Sequence, residues 1–158
     1  MERVPFKLLN ATAVVAHVTA FLGRGLVRGR GCGPLVVSEE PISFYGGVDP
    51  STGMIVERGH ELYGRVIAGT ILVFPYGKGS TVGSYTLLRL ARRGKAPAGI
   101  VNMESEPIVV TGCLLGGIPL MDNPHPNPFK LKHFLNGLKA ELSVEEGSGL
   151  LRLAPRGF

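Results

Sequence analysis

Short apolar runs bounded by glycine, proline and polar residues dominate this chain, the pattern of strands rather than of long helices. Leu26-Val27 and Leu35-Val36-Val37 read as two β-type runs, and the glycines between Arg28 and Pro34 suggest a turn between paired strands, or a bulge. Ser38 to Gly59 reads as one long loop, of a length usually functional or flexible. Its Gly46-Gly47 pair, following Phe44-Tyr45, indicates close approach of the backbone to something. Thr70 to Phe74 is a strand. Thr81 to Arg93 follows as a helix whose Val82, Tyr85, Leu88 and Ala91 recur at threes and predict one apolar face, with Gly94 as the stop. Ala98–Asn102 and Pro107–Thr111 read as two further strands around the polar turn Met103–Glu106, so strand, helix and strand make a βαβ-like unit. Ile118–Leu120 is a short strand and Asn123–Pro128 a rigid proline-rich connector. Leu138–Val144 and Gly149–Leu153 form a terminal hairpin, too small to stand alone and so packed back on the same domain. The class is β-rich α/β with few helices.

Composition changes this picture little. A chain of 158 residues makes one domain with a real core, and 44% hydrophobic with 18% charged residues is a globular composition. The 23 glycines and 12 prolines are spread without a period, so they mark many tight turns. A net charge of +5 would suit nucleic acid or anionic substrates. Its densest cluster, Arg89, Arg92, Arg93 and Lys95, closes the predicted helix, where cations suit the dipole, and no aromatic-basic interleaving supports RNA binding. Cys32 and Cys113 lie far apart with no histidine at ligand spacing, which reads as two buried free thiols in a reducing cytoplasm. Two cysteines cannot supply the three or four thiolates of an iron–sulfur cluster.

Residues 1–23 are an N-terminal extension of unassigned role. The run Ala11 to Leu22 behind Arg3 and Lys7 loosely imitates a secretory signal, but Glu2 and His17 weaken that reading, and the run is too short and too interrupted to span a membrane. Asn10-Ala11-Thr12 is a formal glycosylation sequon without meaning in a cytoplasmic chain.

The chemistry concentrates in Phe74-Pro-Tyr-Gly-Lys-Gly-Ser-Thr-Val-Gly-Ser-Tyr85, between a strand and a helix. Two glycines, Gly77 and Gly79, bracket Lys78, and Ser80-Thr81 stand where the helix should start. That arrangement points backbone N–H groups and a hydroxyl at one spot suited to an anion. It is not a nucleotide-binding P-loop, because Lys78 is followed by glycine and the upstream glycine is missing. On these residues alone, Ser80 as a simple N-cap is the favoured reading. Asn102, at a strand end facing the helix start, is a candidate pocket wall or a turn residue. His17, His60, His125 and His133 form no ligand pattern, and the pairs Glu39-Glu40 and Glu104/Glu106 read as solvated charges.

Ser38-Glu-Glu-Pro-Ile-Ser-Phe-Tyr-Gly-Gly-Val-Asp49, the segment Leu72 to Tyr85, Glu106-Pro107-Ile108 and Gly117-Ile-Pro-Leu120 together resemble the swivel component of the aconitase X family. Within that family the resemblance is to the separately encoded small subunits of archaeal phosphomevalonate dehydratases. It covers residues 24–154, the expected swivel domain, including the hairpin 138–153. It implies a swivelling β/β/α domain like the mobile domain of aconitase-type hydro-lyases, and a large partner subunit carrying a 4Fe-4S cluster. It implies that Ser80, alone among these residues, is the catalytic base; Gly77, Lys78, Gly79, Thr81 and Asn102 are the expected substrate-binding residues around it. The implied reaction dehydrates (R)-5-phosphomevalonate to trans-anhydromevalonate 5-phosphate, in the cytoplasm, with no nucleic acid or membrane involved. The cluster iron would act as a Lewis acid on the substrate. Two other readings stay open: a cis-3-hydroxyproline dehydratase component, and a non-catalytic binding or regulatory domain on the same fold.

Overall fold

A computed structural model describes residues 19–154. The sequon Asn10-Ala11-Thr12, His17 and most of the run from Ala11 lie outside the described residues. The order is β1 (Ala20–Val27), β2 (Gly29–Val37), β3 (Ile42–Ser43), β4 (Ile71–Phe74), β5 (Gly77–Lys78), α1 (Gly83–Arg92), β6 (Gly99–Asn102), α2 (Pro107–Gly116), β7 (Leu120–His125), a 3₁₀ turn (Phe129–Leu131), α3 (Lys132–Leu135), β8 (Lys139–Glu145) and β9 (Ser148–Leu153).

Seven strands close a barrel in the order β1-β7-β6-β4-β2-β8-β9, with β9 pairing back on β1. β2, β4, β6 and β7 run parallel, and the other pairs are antiparallel. The parallel strands β4 and β6 are buried at every position, as strands covered on both faces must be. Alternate residues serve two cores. Leu35, Ile71, Val73, Val101, Met121 and Leu142 join one cluster. Val36, Leu72, Phe74, Ile100 and Leu120 join another, with Leu87 and Leu90 of α1 and Val109 and Cys113 of α2. This is the β-rich α/β class expected, with the C-terminal hairpin closing the barrel. Among the described residues no helix is long and apolar enough to cross a membrane.

Several local expectations are corrected. Pro107–Thr111 is not a strand but the first half of α2. The Ile-Val-Val-Thr run favours strands by propensity, yet Pro107 presets the first helical turn and the Glu106 carboxylate accepts the N–H groups of Ile108 (2.8 Å) and Val109 (2.9 Å). The glycine-rich stretch before Leu35 is not a turn between paired strands. It lies within β2, and β1 and β2 pair with different neighbours. A Cβ at Gly31 would lie 1.9 Å from the Ala98 carbonyl oxygen, so the glycine serves close packing inside the barrel wall. The Ile118–Leu120 strand begins at Leu120 and runs on through the first half of the expected connector.

The helix expected from Thr81 begins at Gly83, and its buried side is not the Val82–Tyr85–Leu88–Ala91 stripe. Gly83, Ser84, Thr86, Leu87 and Leu90 are buried instead, while Val82 and Tyr85 are exposed. Small residues at 83, 84 and 86 let α1 sit close to its neighbours. The Ser84 hydroxyl donates to the Ile108 carbonyl at 2.7 Å, and Gly112 of α2 leaves no room for a side chain against Leu87.

Candidate functional site

The fully buried β4 delivers the chain to the carboxyl ends of the parallel strands, the end at which the chain leaves β4 towards α1 and β6 towards α2. Three contacts then fix the turn that follows. β5 pairs in parallel with β3, Ile42 opposite Gly77 and Ser43 opposite Lys78. A Cβ at Gly77 would fall 2.5 Å from Glu106 Oε1 and 2.6 Å from Val109 Cγ2, so the turn lies directly on the start of α2. Gly79 has φ +88°, and a Cβ there would meet Ser43 Oγ at 2.6 Å. Glycine is therefore required at 79 for conformation as well as space. Phe44 packs edge-on against Phe74 with centroids 5.8 Å apart, holding the β3 loop against the end of β4.

Ser80 stands on this turn, exposed to solvent. Its Oγ accepts the N–H of Val82 at 3.2 Å, and its carbonyl accepts the N–H of Gly83 at 2.9 Å. The hydroxyl therefore closes a local turn ahead of the helix. Val82, not Ser80, occupies the cap position of α1, without a side-chain bond. Thr81 is exposed beside it. Lys78 is half-exposed, its Nζ 2.9 Å from Glu57 Oε1. Lys78, Gly79, Ser80 and Thr81 thus form one exposed ledge, with the buried Gly77 at its root.

Asn102 is placed differently. It lies level with Phe74 in the sheet, is fully buried, donates from Nδ2 to the Phe74 carbonyl (3.0 Å) and accepts the Ser105 hydroxyl at Oδ1 (2.9 Å). Its polar atoms brace the strand end behind the ledge.

Sequence reasoning missed much of the support. Glu106, a solvated charge by its sequence context, caps α2 beneath Gly77. An acidic residue directly before a proline was the available helix-start signal. Glu39 and Glu40 are likewise engaged rather than free. Lys132 bridges Glu39 and Glu61, both at 3.0 Å, and the Glu61 N–H donates to Glu40 Oε2 at 2.6 Å. Burial pushes the Glu61 carboxyl up, but donation from the Ser38 hydroxyl, Lys132 and the Glu39 N–H outweighs it and holds the group down at about 2. His60 is buried. Its Nδ1 accepts the Leu62 N–H (3.0 Å) and its Nε2 lies 3.1 Å from the Pro41 carbonyl, so the proton sits on Nε2. Arg24 forms a two-pronged pair with the buried Asp122, at 2.8 and 2.7 Å, and Asp122 also accepts the Ser105 N–H.

The cysteines are corrected in part. Cys113 is buried, and burial together with the Glu106 carboxylate pushes its thiol up, but Cys32 is exposed. Among the described residues no group of three or more His, Cys, Asp or Glu could hold a metal ion. A lone buried thiol and a lone exposed one do not fit an iron–sulfur cluster in this chain.

The family model of the aconitase X swivel domain matches residues 20–151. The phosphomevalonate dehydratase small subunit of Methanocella arvoryzae is 51% identical over 106 residues, covering 67% of this chain and 80% of that protein. The small subunit of the same name from Methanothermobacter thermautotrophicus is 44% identical over 124 residues, covering 78% and 93%. The crystal structure of Thermococcus kodakaraensis aconitase X in its holo-form superposes with a TM-score of 0.78 at 40% identity, covering 87% of this chain and all of that one.

Proposed function

Since the chain belongs to the aconitase X swivel-domain family, we propose that it is the small subunit of a hydro-lyase that dehydrates (R)-5-phosphomevalonate to trans-anhydromevalonate 5-phosphate. Relatives at 44% and 51% identity that bear the name phosphomevalonate dehydratase small subunit support the substrate class and the existence of a larger partner. The observation that carries the chemistry is Ser80: a hydroxyl held on a pinned, exposed turn at the carboxyl ends of the parallel strands.

In this reading Ser80 Oγ takes the proton from the carbon next to the substrate carboxylate. A free serine is far too weak an acid to be an alkoxide at neutral pH. The Val82 N–H already aimed at Oγ supplies one of the donors that an alkoxide requires. The tight turn before α1 adds the positive end of a ten-residue helix. Lys78 is paired with Glu57 and screens no charge on Ser80 by itself; a phosphorylated substrate would compete for that ammonium and draw it onto its own phosphate. Gly77 and Gly79 let the turn settle directly onto Glu106, Val109 and Ser43, and so fix where the serine stands. Asn102 supports the site from behind the ledge. The C–OH bond of the adjacent substrate carbon breaks as the alkene forms, and its hydroxide leaves; the 4Fe-4S cluster that would supply Lewis-acid chemistry for that departure would be held by the large subunit, since this chain's thiols do not fit one.

The test is reconstitution. The chain and its large subunit are combined anaerobically and offered phosphomevalonate and cis-3-hydroxyproline separately, with alkene formation followed by NMR. Dehydration of phosphomevalonate alone is expected. Turnover of hydroxyproline instead would move the chain to that dehydratase class, and turnover by the chain without its partner would remove the two-subunit reading.

A further inference from the structure

We propose that the groove between α1 and α2 is the seat of the large subunit, which fills it with an uncharged apolar segment and thereby also stands beside Ser80. This rests on the reading of the chain as a small subunit. From Pro107 to Gly116, α2 carries no charged residue. A helix that is apolar on every side belongs inside protein. Yet only Val109, Gly112 and Cys113 of α2 are buried, while Leu114 and Leu115 are 61% and 52% exposed. α1 shows the same mismatch: the stripe that the sequence marks as a core face leaves Val82 43% and Tyr85 63% exposed.

The two misplaced faces adjoin. Val82, Tyr85, Ile108, Thr111 and Leu115 line one groove of about 290 Å³, and no lining residue is charged. Depletion of charge is the mark of an interface centre rather than of a solvated surface. Tyr45, whose backbone nitrogen lies 3.6 Å from the Cβ position of Gly83, and Tyr76, just ahead of β5, extend the surface around the ledge and are about half exposed. Val82, Tyr85 and Leu115 with Tyr45 and Tyr76, five large exposed side chains, present roughly 500 Å², more than half of the ~800 Å² each partner buries in a standard interface.

The occupant follows from the site. Thr81 and Val82 line the groove and directly follow Ser80, so whatever fills it stands next to the serine. Among the described residues, the one hydrogen bond to Ser80 Oγ comes from the Val82 N–H, and no cation stands against it. A proton-accepting serine needs further groups from the molecule that stands beside it. A second copy of this chain brings the same uncharged groove, whereas the large subunit brings the rest of the catalytic centre.

The full-length chain, Tyr85→Asp and Leu115→Asp are titrated with purified large subunit by calorimetry under anaerobic conditions. Arg152→Asp, on β9 across the barrel from β4 and β6, is the control. The groove variants are expected to raise Kd at least ~10²-fold, the scale of a buried interface anchor, and the control to stay within about threefold of wild type. Melting temperatures of the isolated variants should stay within about 2 °C of wild type. Activity of Tyr85→Asp should return with excess large subunit. Wild-type binding by both groove variants in a pair that still dehydrates phosphomevalonate overturns this inference and leaves the proposed function standing. Failure of the wild-type chain to bind the large subunit removes both. If the isolated chain is a dimer that Tyr85→Asp dissociates, with large-subunit binding unchanged, a second copy fills the groove. A melting temperature lowered by more than about 5 °C in isolated Tyr85→Asp shows that a segment of the chain itself fills it. Either result overturns the assignment.

Discussion

Replacing Ser80 by alanine separates a structural serine from a catalytic one, because the two roles carry very different magnitudes. Structurally the substitution removes one hydrogen bond, from the Val82 N–H at 3.2 Å, at an exposed position where water replaces the lost acceptor. Such a bond is worth about 0.5–1 kcal/mol. α1 begins at Gly83 with no side-chain cap, so the helix loses no N-cap. For a chain of this size the melting temperature should fall by only about 1–4 °C. Loss of a positioned proton acceptor instead lowers the rate at least ~10²-fold, about 2.7 kcal/mol in the barrier. Thr81→Val is the matched control, removing a neighbouring exposed hydroxyl. The assay is kcat of the reconstituted pair, with melting temperature and co-purification measured on the same preparations. Ser80→Ala is expected to melt and assemble nearly as wild type with turnover reduced at least ~10²-fold, while Thr81→Val stays within a few fold. If Ser80→Ala keeps more than about a tenth of the wild-type rate, the base lies on the partner and Ser80 only shapes the turn.

Further outcomes follow from the packing and the ion network. Gly112→Val places a Cβ 2.5 Å from Leu87 Cδ1, and overpacking of this kind costs about 1–3 kcal/mol, so thermal scans should show a drop of about 2–12 °C; an unchanged melting temperature would mean α1 and α2 are not so closely apposed. The Glu61 carboxyl is lowered in the folded protein, so its contribution is present above its ordinary value of 4.5 and is lost as pH falls from there to about 2. Glu61→Gln should therefore flatten the stability profile across that window, and identical acid profiles for the two proteins would contradict the network. With a thiol reagent the native chain should show one fast group, Cys32, and a second only on unfolding, since Cys113 is buried with its thiol pushed up. Fast labelling of two thiols in the native state would place Cys113 at the surface.

The two-residue period and the short apolar runs were enough to read β2's apolar end, β4, β6 and the C-terminal hairpin, because buried strands need little but local apolar content. The ledge from Gly77 to Thr81 was legible too, since a strand, two glycines and a hydroxyl pair specify a turn by local chemistry alone. The identity of α2 was not. Its Ile-Val-Val-Thr start prefers a strand, and only the cap by Glu106 together with packing against α1 outweighs that preference. The apolar stripe of α1 was also real in the sequence, but which side turns inward depends on where small residues permit close approach. Gly83, Ser84 and Thr86 win that side from Val82 and Tyr85. Barrel closure, the neighbours of β1 and β2, and the engagement of Glu39, Glu61 and Lys132 link residues far apart in the chain. Periodicity reports what a residue would bury; which partner it meets is decided by topology, because that choice is made between segments rather than within one.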